Sequence, residues 1–138
     1  MTLTGRCLCG AVSYECSSDP VLQFNCHCRD CQQSTGAAYA PIMFFRRRDV
    51  HINGALSYFE SVGGSGKKIR RGFCPTCGAQ MIGDVELVQS LLSIRAGTLD
   101  DPSHYRPGAD IFCSQAAPWD CMDAALPKFP GMVDPQKM

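Results

Sequence analysis

Short stretches of alternating apolar and polar residues run through the chain. Val12, Tyr14 and Cys16 alternate with Ser13 and Glu15, and Leu22, Phe24 and Cys26 repeat the pattern. A period of two is that of a strand with one face buried. Tyr39 to Phe45 is an apolar, aromatic-rich run of strand length, and Leu56 to Phe59 is a shorter one. Met81-Ile82 and Ile111-Phe112 are strand-sized fragments. Val85 to Ile94 fits two readings. Val85, Val88 and Leu92, and Leu87, Leu91 and Ile94, follow helical spacing, yet the segment also accommodates a strand ending near Gly97. Periodicity leaves both open. Gly63-Gly64-Ser65-Gly66 reads as a hairpin tip and Gly97 to Pro102 as a turn. The tail from Leu126 carries three prolines and reads as an extended arm. The 13 Gly and 9 Pro fall between the apolar runs. This pattern predicts an all-β, mainly β, fold with many turns. No linker divides the 138 residues, so residues 1–138 are expected to form one domain. A domain of that length buries roughly two-thirds of its unfolded surface, enough for a real core.

Charge narrows the partners. Lys and Arg total 13, as do Asp and Glu, so the formal charge is zero. A neutral chain has no overall field for nucleic acid or an anionic membrane, and neither is expected as a partner. The apolar stretch from Ala37 to Phe45 contains Pro41 and is too short to span a bilayer. Thr2 to Arg6 leads into cysteines with no apolar targeting segment. The expectation is a soluble, cytoplasmic protein. Cysteine then changes the picture. There are 10 in 138 residues, near the ~8–10% where disulfide scaffolds begin. In a reducing compartment, clustered cysteines point to metal before disulfides.

Seven of the ten fall into three groups: Cys7-x-Cys9, Cys26-x-Cys28-x-x-Cys31 and Cys74-x-x-Cys77. Such spacing lets one turn of backbone aim several thiolates at one ion, and Gly10 and Gly78 follow the last cysteine of two groups, where a tight turn is needed. Clustered thiolates make zinc the default metal. Seven divide as four plus three. Cys7, Cys9, Cys74 and Cys77 form a closed structural site, and Cys26, Cys28 and Cys31 a site with one open position. A rival division joins Cys28 and Cys31 to Cys74 and Cys77 and strands the first pair. Both sites could also be structural, with a fourth ligand from His51, His104, Cys113 or Cys121. His27 is disfavoured, because the middle residue of an extended Cys-x-Cys points away from the sulfurs. Zinc with three thiolates is a weak Lewis acid, so hydrolysis is not its natural task. A soft incoming thiol is its natural fourth partner, which points to thiol addition to an electrophile. Two zincs per chain are expected, the three-ligand site holding its ion less tightly.

These blocks resemble the glutathione-dependent formaldehyde-activating family. The resemblance rests on Gly5-Arg6-Cys7-Leu8-Cys9-Gly10-Ala11-Val12-Ser13-Tyr14, on Cys26 to Gly36, on Arg71-Gly72-Phe73-Cys74-Pro75-Thr76-Cys77-Gly78, and on Gly97-Thr98-Leu99-Asp100, Ala117-Pro118-Trp119 and Leu126-Pro127-Lys128-Phe129, in that order. It implies a β-tent fold of packed antiparallel sheets stabilised by zinc. It implies the same division, with Cys7, Cys9, Cys74 and Cys77 structural and Cys26, Cys28 and Cys31 catalytic. The implied activity is addition of glutathione to formaldehyde, a carbon–sulfur lyase reaction written in reverse, with glutathione and an aldehyde as small-molecule partners. Two positions depart from the pattern. Asp110 stands where relatives often carry histidine, and Asp123-Ala124-Ala125-Leu126-Pro127 replaces a shorter turn. Two non-catalytic readings compete: a zinc-stabilised binding module, and a glutathione carrier.

An anionic thiol needs cations or N–H donors. Arg29, inside the metal loop, is the first choice for binding substrate, with Ser34 and Thr35 as hydroxyl donors or as caps of the local turn. Arg46-Arg47-Arg48 and Lys67-Lys68 with Arg70-Arg71 read as solvated surface. Gly63 to Lys68 fails as a phosphate loop, because Ser61 replaces its first glycine and Lys68 its Ser/Thr. Cys16 is expected in the core, Cys113 is expected to be exposed, and Trp119 either covers a pocket or packs in the core.

Overall fold

The structure is a computed structural model and describes residues 2–132. In chain order the elements are β1 (Leu3–Arg6), β2 (Ser13–Cys16), β3 (Leu22–Cys26), α1 (Arg29–Thr35), β4 (Ala40–Arg46), β5 (Val50–Asn53), β6 (Ser57–Val62), β7 (Lys68–Phe73), β8 (Gln80–Val85), β9 (Leu91–Arg95) and β10 (Asp110–Ile111). Short 3₁₀ turns fill several connections. The strands form two sheets. One has three strands in the order β1-β2-β5, and the other has seven in the order β10-β3-β4-β9-β8-β7-β6. All pairings are antiparallel except β10 with β3. The fold is mainly β, as the alternation predicts.

The large sheet buries both faces, and the two-residue period sorts its side chains between them. Met43, Phe45, Ile82, Leu92 and Ile94 face the small sheet, where they meet Leu3, Val12, Tyr14 and Cys16. Cys16 is fully buried there, as expected. Phe24, Ile42 and Phe44 point the other way and pack with Cys26, Cys31, Ala109 and Ile111. The strand register continues this second face across the sheet. Phe44 stands opposite Ser93, Ser93 opposite Gly83, Gly83 opposite Arg71, and Arg71 opposite Phe59. The face is therefore apolar towards β3 and polar towards β7, with α1 above it.

Val85 to Ile94 resolves as the end of β8, a turn and a strand, not as a helix. A 3₁₀ turn at Glu86–Val88 precedes β9, which lies between β4 and β8. A strand covered on both faces loses its alternation, which is why spacing alone left the helix open. β1, β5 and β7 had no clear apolar signal. β7 reads Lys-Ile-Arg-Arg-Gly-Phe, and its charges concealed a strand whose Arg71 is only 7% exposed. Helix α1 also went unannounced. It is seven residues long, is capped by the Cys28 sulfur accepting from Cys31 N–H, and ends at Gly36 with φ of 70°.

Gly63 to Gly66 is the turn of the β6–β7 hairpin, as expected. The arm from Leu126 is extended and lies along β10, with Asp110 N–H donating to Pro127 O and Phe129 N–H to Asp110 O. Its last part, 133–138, lies outside the described residues. Trp119 is 70% exposed and is not a core aromatic. Among the described residues no helix is long and apolar enough to cross a membrane.

The two faces predict contrasting costs for truncating a phenylalanine. Phe45 is fully buried between the sheets, whereas Phe59 is 64% exposed. Phe45→Ala is expected to cost about 3–5 kcal/mol and Phe59→Ala less than about 0.5 kcal/mol, read from urea unfolding at fixed zinc.

Candidate metal centre

The chain folds seven cysteines into two groups. In the first, one ligand atom each from Cys7, Cys9, Cys74 and Cys77 lies within 4.8 Å of the others. The Cys7 and Cys9 sulfurs are 3.6 Å apart, and those of Cys9 and Cys74 are 3.7 Å apart. A disulfide would need about 2.05 Å. Four sulfurs on a tetrahedral zinc at ~2.3 Å stand about 3.8 Å from one another. The donor set therefore fits a closed zinc site. Backbone donors support it: Val12 N–H reaches Cys7 Sγ at 3.3 Å and Cys77 N–H reaches Cys74 Sγ at 3.5 Å. Gly10 and Gly78 take φ of 82° and 77°, the left-handed turn each knuckle needs. The Cys77 thiol is held down to about 6, first by the Ala79 N–H and then by that of Cys9. The first pair lies beside β2 and the second between β7 and β8, so the group joins the small sheet to the large one.

The second group is Cys26, Cys28 and Cys31, again mutually within 4.8 Å. Cys26 ends β3, Cys28 caps α1 and Cys31 lies one turn into it. Cys26 and Cys31 are buried, while Cys28 is partly exposed. Hydrogen bonds from the Cys26 and Cys31 sulfurs hold the Cys28 thiol down to about 2, helped by the Cys31 N–H and the charge of Arg71 against the opposing effect of burial. The Cys26 thiol is pushed up, first by its bond to the Cys28 sulfur, then by its bond to Cys31 and by burial. One thiolate forms readily here; three need a cation among them. This donor set also fits zinc, with three protein ligands.

The grouping is four plus three, not the ribbon-like alternative. Among the described residues no histidine, cysteine or carboxylate joins the three sulfurs as a fourth donor. His51 is paired with Asn53, His104 with Asp101, and Cys113 Sγ donates to the Asp110 carbonyl at 3.5 Å. Cys113 is partly buried rather than fully exposed, and Cys121 is exposed.

His27 points away from the sulfurs, as the alternation requires. It is fully buried, with Nδ1 2.5 Å from Asp120 Oδ2 and Nε2 2.8 Å from Asp110 Oδ1. Asp110 also accepts from Asn25 Nδ2 at 3.2 Å and Lys128 Nζ at 2.8 Å. Burial alone would raise the Asp110 carboxyl, but these bonds from Lys128, His27 and Asn25 hold it below the usual range. Asp110, which departs from the family pattern, thus belongs to a buried charge cluster behind the metal loop. Gln32 fastens that loop from the helix, with Nε2 donating to His27 O at 2.7 Å and Gln115 O at 2.9 Å.

The basic runs divide. Arg47 bonds Asp84 at 2.6 Å, Lys68 lies 3.6 Å from Glu60, and Arg70 stacks on Tyr58 at 4.2 Å. Arg71 was grouped with this surface, yet it is buried on the second face and its Nη1 donates to Ser61 Oγ at 2.8 Å. Arg95 was not singled out at all. It is buried on the same face, with Nε donating to Gln80 Oε1 at 3.0 Å and Nη1 to Ser93 Oγ at 3.2 Å. Burial lowers its pKa, while the charges of Cys31, Cys26 and Cys28 oppose that shift. Gly83 makes room for it. A Cβ there would come within 2.3 Å of Ser93 Oγ and 3.2 Å of Arg95 Nη1. The signal for both arginines was strand register, invisible until β7 and β9 were recognised as strands.

Arg29 is exposed at the start of α1, where its N–H donates to Gln115 Oε1 at 2.9 Å. Ser34 and Thr35 hydroxyls donate to the Cys31 carbonyl at 3.3 and 2.6 Å. They fasten the helix end and retain only acceptor lone pairs.

Known proteins match this chain in two comparisons. A family model described as glutathione-dependent formaldehyde-activating enzyme matches residues 2–115. A crystal structure of a Rhodobacter sphaeroides protein is similar in fold, with a TM-score of 0.55 and 22% identity over 70% of this chain and 87% of that one. No curated protein matches.

The two groups predict separable behaviour. Chelation, or Cys77→Ser, is expected to abolish the cooperative unfolding transition seen by near-ultraviolet circular dichroism, because structural zinc contributes folding free energy directly. His27→Leu leaves two buried carboxylates facing an apolar side chain and is expected to cost about 3–5 kcal/mol in urea unfolding.

Proposed function

Because this chain belongs to the glutathione-dependent formaldehyde-activating enzyme family, we propose that it catalyses addition of glutathione, or a similar thiol, to formaldehyde or another small aldehyde. The thiol sulfur forms a bond to the carbonyl carbon, the carbon–oxygen π pair moves to oxygen, and the thiol proton ends there. The product is an S-hydroxymethyl thiol adduct. No atom is lost and no oxidant is needed, and the reverse reaction is that of a carbon–sulfur lyase.

The observation that carries this reading is the three-sulfur group, which has no fourth protein donor among the described residues. In this reading Cys26, Cys28 and Cys31 would hold a catalytic zinc, and Cys7, Cys9, Cys74 and Cys77 a structural one. Zinc bound by three thiolates supplies a soft Lewis-acid position that favours the thiolate form of an incoming thiol. The chain's own residues supply position and charge. Cys28 is the partly exposed member of the group, the one within reach of a small molecule. Arg95 is a fixed buried cation facing the sulfurs, and offsets the anionic charge gathered there. Arg29 is exposed next to Cys28 in sequence, its Nη1 donating to Gln32 Oε1, and the Ser34 and Thr35 hydroxyls can accept a hydrogen bond from a substrate N–H. Thiol–aldehyde addition is fast in water, so orientation and deprotonation are the contributions required of the protein. A reducing cytoplasm would keep the seven thiols free of disulfides.

Native mass spectrometry is expected to find two zincs per chain and a further mass step of one glutathione, absent in Cys28→Ser. Exchange spectroscopy on formaldehyde and glutathione should then find faster adduct formation with wild type only. Two zincs without a thiol adduct would mean two closed sites and a binding module. A thiol adduct without acceleration would identify a carrier.

A further inference from the structure

Beside the three-sulfur group, α1 and the β6–β7 hairpin enclose a cleft of about 330 Å³. Asp30, Gln33 and Ser34 line it from the helix, and Phe59, Ser61 and Arg71 line it from the strands. Its size is that of a small-molecule site. Two features separate it from an ordinary surface groove. Arg71 is 93% buried by its 7% exposure, and its Nε has no hydrogen-bond partner among the described residues. A buried guanidinium donor without a partner is costly, and a ligand acceptor removes that cost. Asp30 lies on the opposite wall, exposed. Neither Asp30 nor Arg71 enters an ion pair among the described residues, with each other or with any neighbour. A buried guanidinium that also bears on the Cys28 sulfur and an exposed carboxylate therefore face a single cleft.

We propose that this cleft binds the α-amino acid end of the thiol substrate, with Arg71 receiving its carboxylate and Asp30 its ammonium group. Arginine offers a planar fork for a carboxylate, and pairing with a zwitterion cancels both wall charges at once. Phe59, standing opposite Arg71 in the hairpin register, gives the aliphatic part of the ligand an apolar surface. Asp30 is next to Cys31 in sequence, so the helix that carries a sulfur also carries one wall of the cleft. A γ-glutamyl thiol carries an amino acid end remote from its sulfur; a simple thiol carries none. Arg71 and Asp30 thus set specificity, and the three sulfurs set reactivity. The assignment rests on the thiol–aldehyde reading above, and its test separates the two.

S-methylglutathione keeps the amino acid end but has no free thiol. Calorimetry on the zinc-loaded protein is expected to detect its binding, weakened at least about tenfold in Arg71→Gln and in Asp30→Asn and unchanged in Cys28→Ser. Asp30 is exposed, so its variant keeps the fold even if Arg71→Gln does not; Arg71→Lys retains charge and should lose less than Arg71→Gln. Glutathione binding with S-methylglutathione binding insensitive to both variants would overturn the cleft assignment and leave the thiol chemistry standing. S-methylglutathione binding lost in both variants, with no glutathione turnover by wild type, would uphold the cleft and remove the chemistry. Absence of binding by either compound would remove both.

Discussion

Several sulfur atoms forced into one small volume set the terms for this fold. Cys7, Cys9, Cys74 and Cys77 lie too close to carry four negative charges without a cation, and too far apart to form disulfides. A bound ion of zinc's preferences would satisfy both conditions. Its consequence is architectural, because the pairs belong to different sheets. The first lies between β1 and β2, the second between β7 and β8, and no strand hydrogen bond links those sheets in the described residues. The hydrophobic layer holds the sheets face to face, and the sulfur group fixes where they meet.

The large sheet then divides structure from chemistry by parity. Odd-numbered Met43 and Phe45 enter the layer between the sheets, while even-numbered Ile42 and Phe44 support the metal loop. The same rule separates His27 from its cysteine neighbours. Cys26 and Cys28 turn towards Cys31, and His27 turns back into a cluster with Asp110, Asp120 and Lys128. A three-residue stretch thereby carries the donor atoms on one side and their anchorage on the other.

The sequence made the metal groups legible because ligand spacing is local: Cys-x-Cys and Cys-x-x-Cys report on one turn of backbone, and a turn is what three residues determine. The alternating strands β2 and β3 were legible for the same reason. Arg71 and Arg95 were not, because their burial depends on which strand lies opposite which, and that pairing is a long-range property. β7 compounded the difficulty, since a strand of Lys, Arg and Gly resembles a solvated loop until its partners β6 and β8 are known. Helix α1 was hidden by its shortness and by a sulfur acting as its cap, a role that sequence assigns first to Ser, Thr, Asp and Asn. The Asp110 departure was visible, but its meaning was not. Residues far along the chain, Asn25, His27 and Lys128, supply the partners that make an aspartate acceptable in the interior.

The position of β6 at the end of the large sheet has a consequence for how such a protein can diversify. β6 is paired on one side only, through β7, and Phe59 and Val62 on it are exposed. Substitutions along this strand alter one wall of the cleft without touching the layer between the sheets or any cysteine. Descendants of such a chain can therefore drift in the shape of that wall while inheriting the three-sulfur group unchanged. Novelty accumulates at the sheet margin, and ancestry is preserved in the sulfur framework.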